Sequence, residues 1–243
     1  YCYYEDAEGR EHDGFFEFTR SGKVILRSEN ICNAAIDGNI YSIWSSGNYD
    51  GTGEQPWGIS MNGHNVYTGT LIYDGKQMMM PRIMPYLDPG AITVAGDRIF
   101  FFLRYRDEKA TYLASVRTDG TEFHAYEDYK VSGMSLQSDG EHVYVILEPE
   151  ENRQCPASMD PETGIMTPLT SQTEYIDTSE YPIQKITLDG DWLWIEFRSG
   201  DNAVYEYYDL ASGELHECER LTGIRVQGIC DGWVYYHADA ALT

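Results

Sequence analysis

The sequence predicts an all-β chain assembled from a repeated four-stranded antiparallel unit. Three observations predict it. A turn-plus-strand motif recurs five times along 243 residues, a second glycine turn follows it at a near-constant distance, and strand-forming aromatics are abundant, with 20 Tyr and 5 Trp.

The first element is a Gly turn followed at once by an aromatic or β-branched strand. It appears as Asp37-Gly38 before Ile40–Trp44, Gly96-Asp97 before Ile99–Phe102, and Asp139-Gly140 before Val143–Ile146. It returns as Asp189-Gly190 before Trp192–Ile195 and Asp231-Gly232 before Trp233–Tyr236. The second element is a polar turn ending in Gly22, Gly63, Gly120, Gly164 or Gly213. From each first glycine to the next second glycine the distances are 25 (38 to 63), 24 (96 to 120), 24 (140 to 164) and 23 (190 to 213).

A two-turn unit of this kind is four antiparallel strands, A to D, with tight hairpins at A–B and C–D. Strand B is nearly continuous in apolar residues, which calls for burial on both faces. The segment after the second turn is charged and mixed, as in Glu122–Glu127 and Glu214–Glu219, which suits an exposed outer strand guarded against edge pairing. Buried inner strands, polar outer strands and successive first glycines 58, 44, 50 and 42 residues apart describe a β-propeller. A β-sandwich is the structural alternative, but it does not require the fixed offset between turns.

Residues 1–243 are expected to form a single propeller domain. Its blades are expected at 1–30 (partial), 31–87, 88–129, 130–179, 180–222 and 223–243 (partial). Tyr1–Asp6 reads as a strand B without its strand A, and 224–237 as strands A and B without C and D. Both ends therefore offer a strand B, and the expectation is six blades within a range of five to seven, the terminal blades incomplete. Phe101, Tyr144 and Trp194 are the strand B aromatics expected to be largely buried between blades. The opening Tyr1-Cys2-Tyr3-Tyr4 has no initiator Met and reads as the interior of a longer product.

Seventeen Lys and Arg against 40 Asp and Glu give a net charge of −23. Such a surface repels polyphosphate, so neither nucleic acid nor anionic membrane is an expected partner. The longest apolar runs span five residues, Ile99–Leu103 and Val143–Leu147, and no membrane insertion is expected. Five cysteines (Cys2, Cys32, Cys155, Cys218, Cys230) form no CxxC pair and have no His at metal-ligand spacing. The odd, scattered set leaves room for one bridge, with buried free thiols the expectation.

No enzyme motif occurs: no GxSxG, P-loop, HExxH or sialidase-type box. Six scattered His (12, 64, 124, 142, 216, 237) read as surface or strand-edge residues. Asn48–Glu54 has oxygen ligands and glycines but not the order of a calcium loop, and reads as an ordinary loop. Met78–Met80 with Met84 fits an adaptable contact surface and a core plug equally well. No catalytic residue, metal ligand or cofactor is assigned.

Arg98–Glu122 and the Asp231–Tyr236 turn and strand resemble the YWTD-type repeat of low-density-lipoprotein-receptor-like propellers. They resemble more closely the bacterial propellers of that kind in secreted or surface proteins of gut Firmicutes. The resemblance covers nearly the whole chain, although the Tyr-Trp-Thr-Asp tetrad itself does not occur. It implies a propeller and an extracellular or cell-surface setting, and it carries over no catalytic residue; the full-length protein has room for additional domains.

Loop length points to where a ligand would bind. The A–B and C–D turns are tight, whereas the B–C and D–A connections carry the long insertions 45–56, 76–90 and 171–182. Long loops on a compact domain are usually functional. The ligand-binding residues expected on that face are Tyr49, Asp50, Trp57, Tyr86, Asp88, Tyr175, Asp177 and Tyr181. Flat aromatics and carboxylates suit an unknown glycan, peptide or protein ligand. The function expected is a non-catalytic binding or scaffold module. The alternative is a carbohydrate-active enzyme using a carboxylate pair in the propeller funnel.

Overall fold

The computed structural model describes residues 2–5, 11–18, 24–28, 34–45, 53–73, 79–81, 92–105, 110–132, 135–150, 152–169, 176–177, 180–200, 202–224 and 226–236. The chain divides into two compact units, Tyr1–Ala125 and Tyr126–Thr243.

The first unit opens with β1 (Cys2–Glu5), β2 (Glu11–Phe18) and β3 (Val24–Ser28), a three-stranded antiparallel sheet in chain order. This matches the expected B, C and D strands. Next comes a complete four-stranded sheet of β4 (Ala34–Ile36), β5 (Asn39–Ser45), β6 (Gly53–Met61) and β7 (His64–Tyr73). Then follow β8 (Met79–Pro81), β9 (Ile92–Ala95), β10 (Arg98–Tyr105) and β11 (Thr111–Arg117). Both β8 and β9 pair with the same edge of β10, so strand A here comes in two pieces.

The second unit takes in most of β12 (His124–Val131), then β13 (Gln137–Ser138), β14 (Val143–Glu150), β15 (Arg153–Met159), β16 (Met166–Pro168) and β17 (Ile176–Asp177). Along one edge of β14, β13 pairs near the turn and Val131 of β12 pairs farther along. A four-stranded sheet follows: β18 (Ile183–Asp189), β19 (Trp192–Ser199), β20 (Asn202–Asp209) and β21 (Glu214–Glu217). A 3-10 turn at Glu219–Leu221 leads to the pair β22 (Val226–Cys230) and β23 (Trp233–Tyr236).

All five A–B hairpins form where the motif places them. Their glycines have φ of 76° (Gly38), 55° (Gly96), 95° (Gly140), 59° (Gly190) and 74° (Gly232). At Asp37-Gly38, Asn62-Gly63 and Asp231-Gly232 both turn residues have positive φ, the signature of the tight hairpin that matches strand twist. Four turns are held by an aspartate accepting main-chain N–H bonds through Oδ1. Asp119 takes Thr121, Asp139 takes Glu141 and His142, Asp160 takes Glu162 and Thr163, and Asp209 takes Ala211 and Ser212. Local hydrogen bonding of this kind is why Asp favours turns.

Each unit has its own core. In the first, Ile99–Leu103 of β10 are all at most 2% exposed, as the continuous apolar run required. Trp57 is the hub, its ring 5.4 Å from Tyr67, 5.8 Å from Phe101 and 6.5 Å from Phe123. In the second, Val143–Leu147 of β14 are buried, and Leu193, Ile195 and Phe197 pack with Ile183, Ile186 and Tyr144. β21 is mostly exposed, as its charges predicted, whereas β12, expected to be a free outer strand, is exposed at half of its residues and pairs with β14 through Val131↔Leu147. Cys155, Cys218 and Cys230 are free thiols; Cys155 is buried, Cys218 half-buried and Cys230 exposed.

One burial expectation needs correction. Phe101 and Tyr144 are buried, but Trp194 is only half-buried. It lies on the opposite face of β19 from Leu193 and Ile195, where the two-stranded β22–β23 sheet supplies less cover than a full blade.

Candidate functional site

The expected ligand face does not survive intact at the level of side chains. Trp57 is 3% exposed and surrounded by Tyr67, Phe101 and Phe123, so it is a core residue rather than a stacking platform. Its position was misread because β6 begins at Gly53, inside the stretch taken for a connection. Gly53 to Pro56 pair with Tyr73 to Thr70 of β7. The β5–β6 ladder ends at Ser45↔Trp57, so Pro56 lies beyond β5 and costs no ladder donor there.

The other two insertions also contain strand. Met79–Pro81 forms β8 against β10, and Ile176–Asp177 forms β17 against Arg153 and Gln154 of β15. Asp177 is thereby placed on the main-chain ladder opposite Arg153. Tyr181 is 36% exposed just before β18. Tyr49, Asp50, Tyr86, Asp88 and Tyr175 lie outside the described residues, as do 46–52, 82–91 and 170–175.

Within the second unit a cleft of about 20 Å³ opens between the β18–β20 sheet and β22. That is room for about one water. Lys185, Thr187, Trp194, Glu196 and Tyr205 line one side, Val226 and Ile229 the other. Glu196 stands 4.0 Å from the Arg198 guanidinium, and the Tyr205 hydroxyl accepts the Val226 N–H at 3.2 Å. The indole Nε1 of Trp194 is buried with no hydrogen-bond partner among the described residues. Sequence reading missed this group because it comes together through register: Lys185↔Glu196, Thr187↔Trp194 and Glu196↔Tyr205 are cross-strand pairs.

One carboxylate pair has a shifted acid. Glu206 and Glu217 are directly opposed on β20 and β21. Burial, and secondarily the Glu217 charge, push the Glu206 pKa up, and its Oε2 has no hydrogen-bond partner among the described residues. The pair sits on the two outer strands of its sheet, away from the β18 edge. Among the described residues no cluster of three or more His, Cys, Asp or Glu is arranged to hold a metal.

No family model and no curated protein matches the chain. Solved structures do resemble it. A chain from a structural and mechanistic analysis of two prolyl endopeptidases matches with a TM-score of 0.51 and 12% identity, over 88% of this chain and 32% of that one. A puromycin-hydrolysing peptidase of Mycobacterium tuberculosis gives 0.44 and 14% over 86% and 33%, and the polysaccharide lyase Uly1 gives 0.38 and 12% over 86% and 57%. The chain thus spans about a third of the two peptidase chains. At such identities the likeness is one of fold. The protein is all-β, built of antiparallel sheets of four strands, and it matches propeller-containing chains.

Proposed function

We propose that this chain forms a six-bladed, YWTD-like β-propeller displayed outside a bacterial cell. It acts as a non-catalytic binding or scaffold module. Its ligand is a glycan, peptide or protein held at the end of the sheets that carries the B–C and D–A connections. The observation that supports this reading is connection length in the first unit. The A–B turns at 37–38 and 96–97 are two residues long, while 46–52 separates β5 from β6, 74–78 separates β7 from β8 and 106–110 separates β10 from β11; in the second unit the B–C connections 151–152 and 200–201 are as short as the A–B turn at 190–191.

With Trp57 in the core, the aromatics that remain as expected contact residues are Tyr49, Tyr86, Tyr175 and Tyr181. A glycan array followed by titration of any hit tests the reading. Tyr86→Ala and Tyr181→Ala each weaken binding by ~1–3 kcal/mol, as contact aromatics do elsewhere, with little loss of stability. Asp119→Ala, at a C–D turn, leaves affinity unchanged. The reverse pattern places the ligand at the wrong end. Release of reducing sugar from a bound glycan would instead favour the carbohydrate-active alternative.

A further inference from the structure

At the opposite end of the second unit, the first rung of the β18–β21 sheet has an unusual composition. Asp189 pairs with Trp192, Trp192 with Asp209, and Asp209 with Glu214. Directly opposed residues of antiparallel strands project from the same face, about 5 Å apart. Trp192 therefore stands in a row with a carboxylate on each side and a third beyond. The indole is 40% exposed and is braced edge-on by Tyr207, ring centroids 5.0 Å apart. Asp209 is fixed in place by the N–H groups of Ala211 and Ser212 and by the Ser212 side chain.

A second tryptophan is brought to the same place. Gly232 donates its N–H to Asp189 Oδ2 at 2.8 Å, tying the β22–β23 turn to the β18–β19 turn. Trp233, next in the chain, is 71% exposed. Asp191 and Asp231 are exposed in the same two turns. His216 Nε2 lies 3.8 Å from Glu214 Oε2, and among the described residues no Lys or Arg forms an ion pair with any of these carboxylates.

We propose that this turn end binds the guanidinium group of an arginine-bearing peptide segment. An exposed indole face attracts a cation through its quadrupole. A planar guanidinium can lie over the ring while its forked N–H groups reach carboxylates on either side, which a spherical ammonium does less well. The net charge of −23 draws such a partner from a distance. This site is independent of the one at the connection end, and each can fail without the other.

The test follows the indole N–H resonances of the intact chain while it is titrated with capped Gly-Gly-Arg-Gly-Gly. Its citrulline and lysine counterparts serve as comparisons. The arginine peptide shifts the Trp192 and Trp233 signals in a salt-sensitive manner, and the neutral citrulline peptide does not. Trp192→Leu, which keeps bulk but removes the ring, weakens binding about tenfold, while Trp192→Tyr retains most of it. Asp209→Asn weakens it as well. Equal binding of the citrulline or lysine peptide, unchanged affinity in Trp192→Leu, or shifts confined to other tryptophans would each overturn the proposal. Both Trp192 variants are at an exposed site, and an unchanged circular dichroism melt confirms that they fold.

Discussion

The indole of Trp57 fills the space that a side chain at Gly69 would need. The two residues are directly opposed on β6 and β7, and a Cβ at Gly69 would meet Trp57 Nε1 at 2.7 Å and Cε2 at 2.8 Å. The same pairing repeats one strand over, where Trp44 opposes Gly58 and a Cβ on Gly58 would meet the Trp44 ring at 2.7 Å and collide with the Tyr67 carbonyl. A large ring lying over a bare backbone covers the hydrogen bonds a glycine leaves exposed and restores apolar burial.

Gly69→Ala is therefore expected to destabilise the chain by about 1–3 kcal/mol through overpacking, although alanine is ordinarily the better residue in a strand. Trp57→Ala is expected to cost ~3–5 kcal/mol. Chemical denaturation of both variants checks this. A Gly69→Ala variant as stable as the parent would mean that the Trp57 ring has room to move.

A graded series tests how completely each strand B is covered. Phe101→Ala and Tyr144→Ala should each cost ~3–5 kcal/mol, Trp194→Ala less, and Trp233→Ala under about 0.5 kcal/mol. The order follows exposure: Phe101 and Tyr144 are buried, Trp194 half-buried, Trp233 exposed. Thermal melts that rank Trp233→Ala with Phe101→Ala would indicate that β23 is covered in solution.

Acid should loosen the turns. At Asp139 partial desolvation pushes the pKa up, but the N–H groups of His142 and Glu141 and the hydroxyl of Tyr144, 2.7 Å from Oδ2, outweigh it and hold the carboxyl below its usual range. Hydrogen bonds from their own turns likewise lower Asp119, Asp160 and Asp209. A folded pKa below the unfolded value means that the stabilisation is complete above about pH 4–5 and is lost as pH falls through the folded pKa. Unfolding midpoints taken from pH 6 to pH 2 should drop steeply in the parent and less steeply in Asp139→Ala. Parallel slopes would exclude Asp139 as a contributor.

Glu206 carries the opposite sign. Its raised pKa means the folded chain holds the proton longer than the unfolded chain does. Its contribution therefore becomes unfavourable as pH rises through the interval between the unfolded and folded values. Glu206→Gln should leave stability unchanged at low pH and raise it at neutral pH. A variant equally or less stable than the parent at pH 7 would point to a cationic partner for this carboxylate.

Much of the local architecture was legible in the chain itself. Asp-Gly and Asn-Gly pairs demand positive φ and tight hairpins, so Gly38, Gly63 and Gly232 fixed three turns before any packing was considered. Five-residue apolar runs demand cover on both faces, and β10 and β14 have it. These are short-range requirements, met within a few residues of where they are written. What the tertiary structure decided is which side chains share a surface. The extent of β6 depends on β7 continuing past the end of β5, so Trp57 passed from a supposed loop into the core. The Asp189–Trp192–Asp209–Glu214 row exists only through cross-strand register, joining residues that flank two turns and lie up to 25 positions apart (189 to 214). Periodicity sets which way a side chain faces along its own strand, but only pairing between strands decides its neighbours across the sheet, and binding chemistry depends on those neighbours.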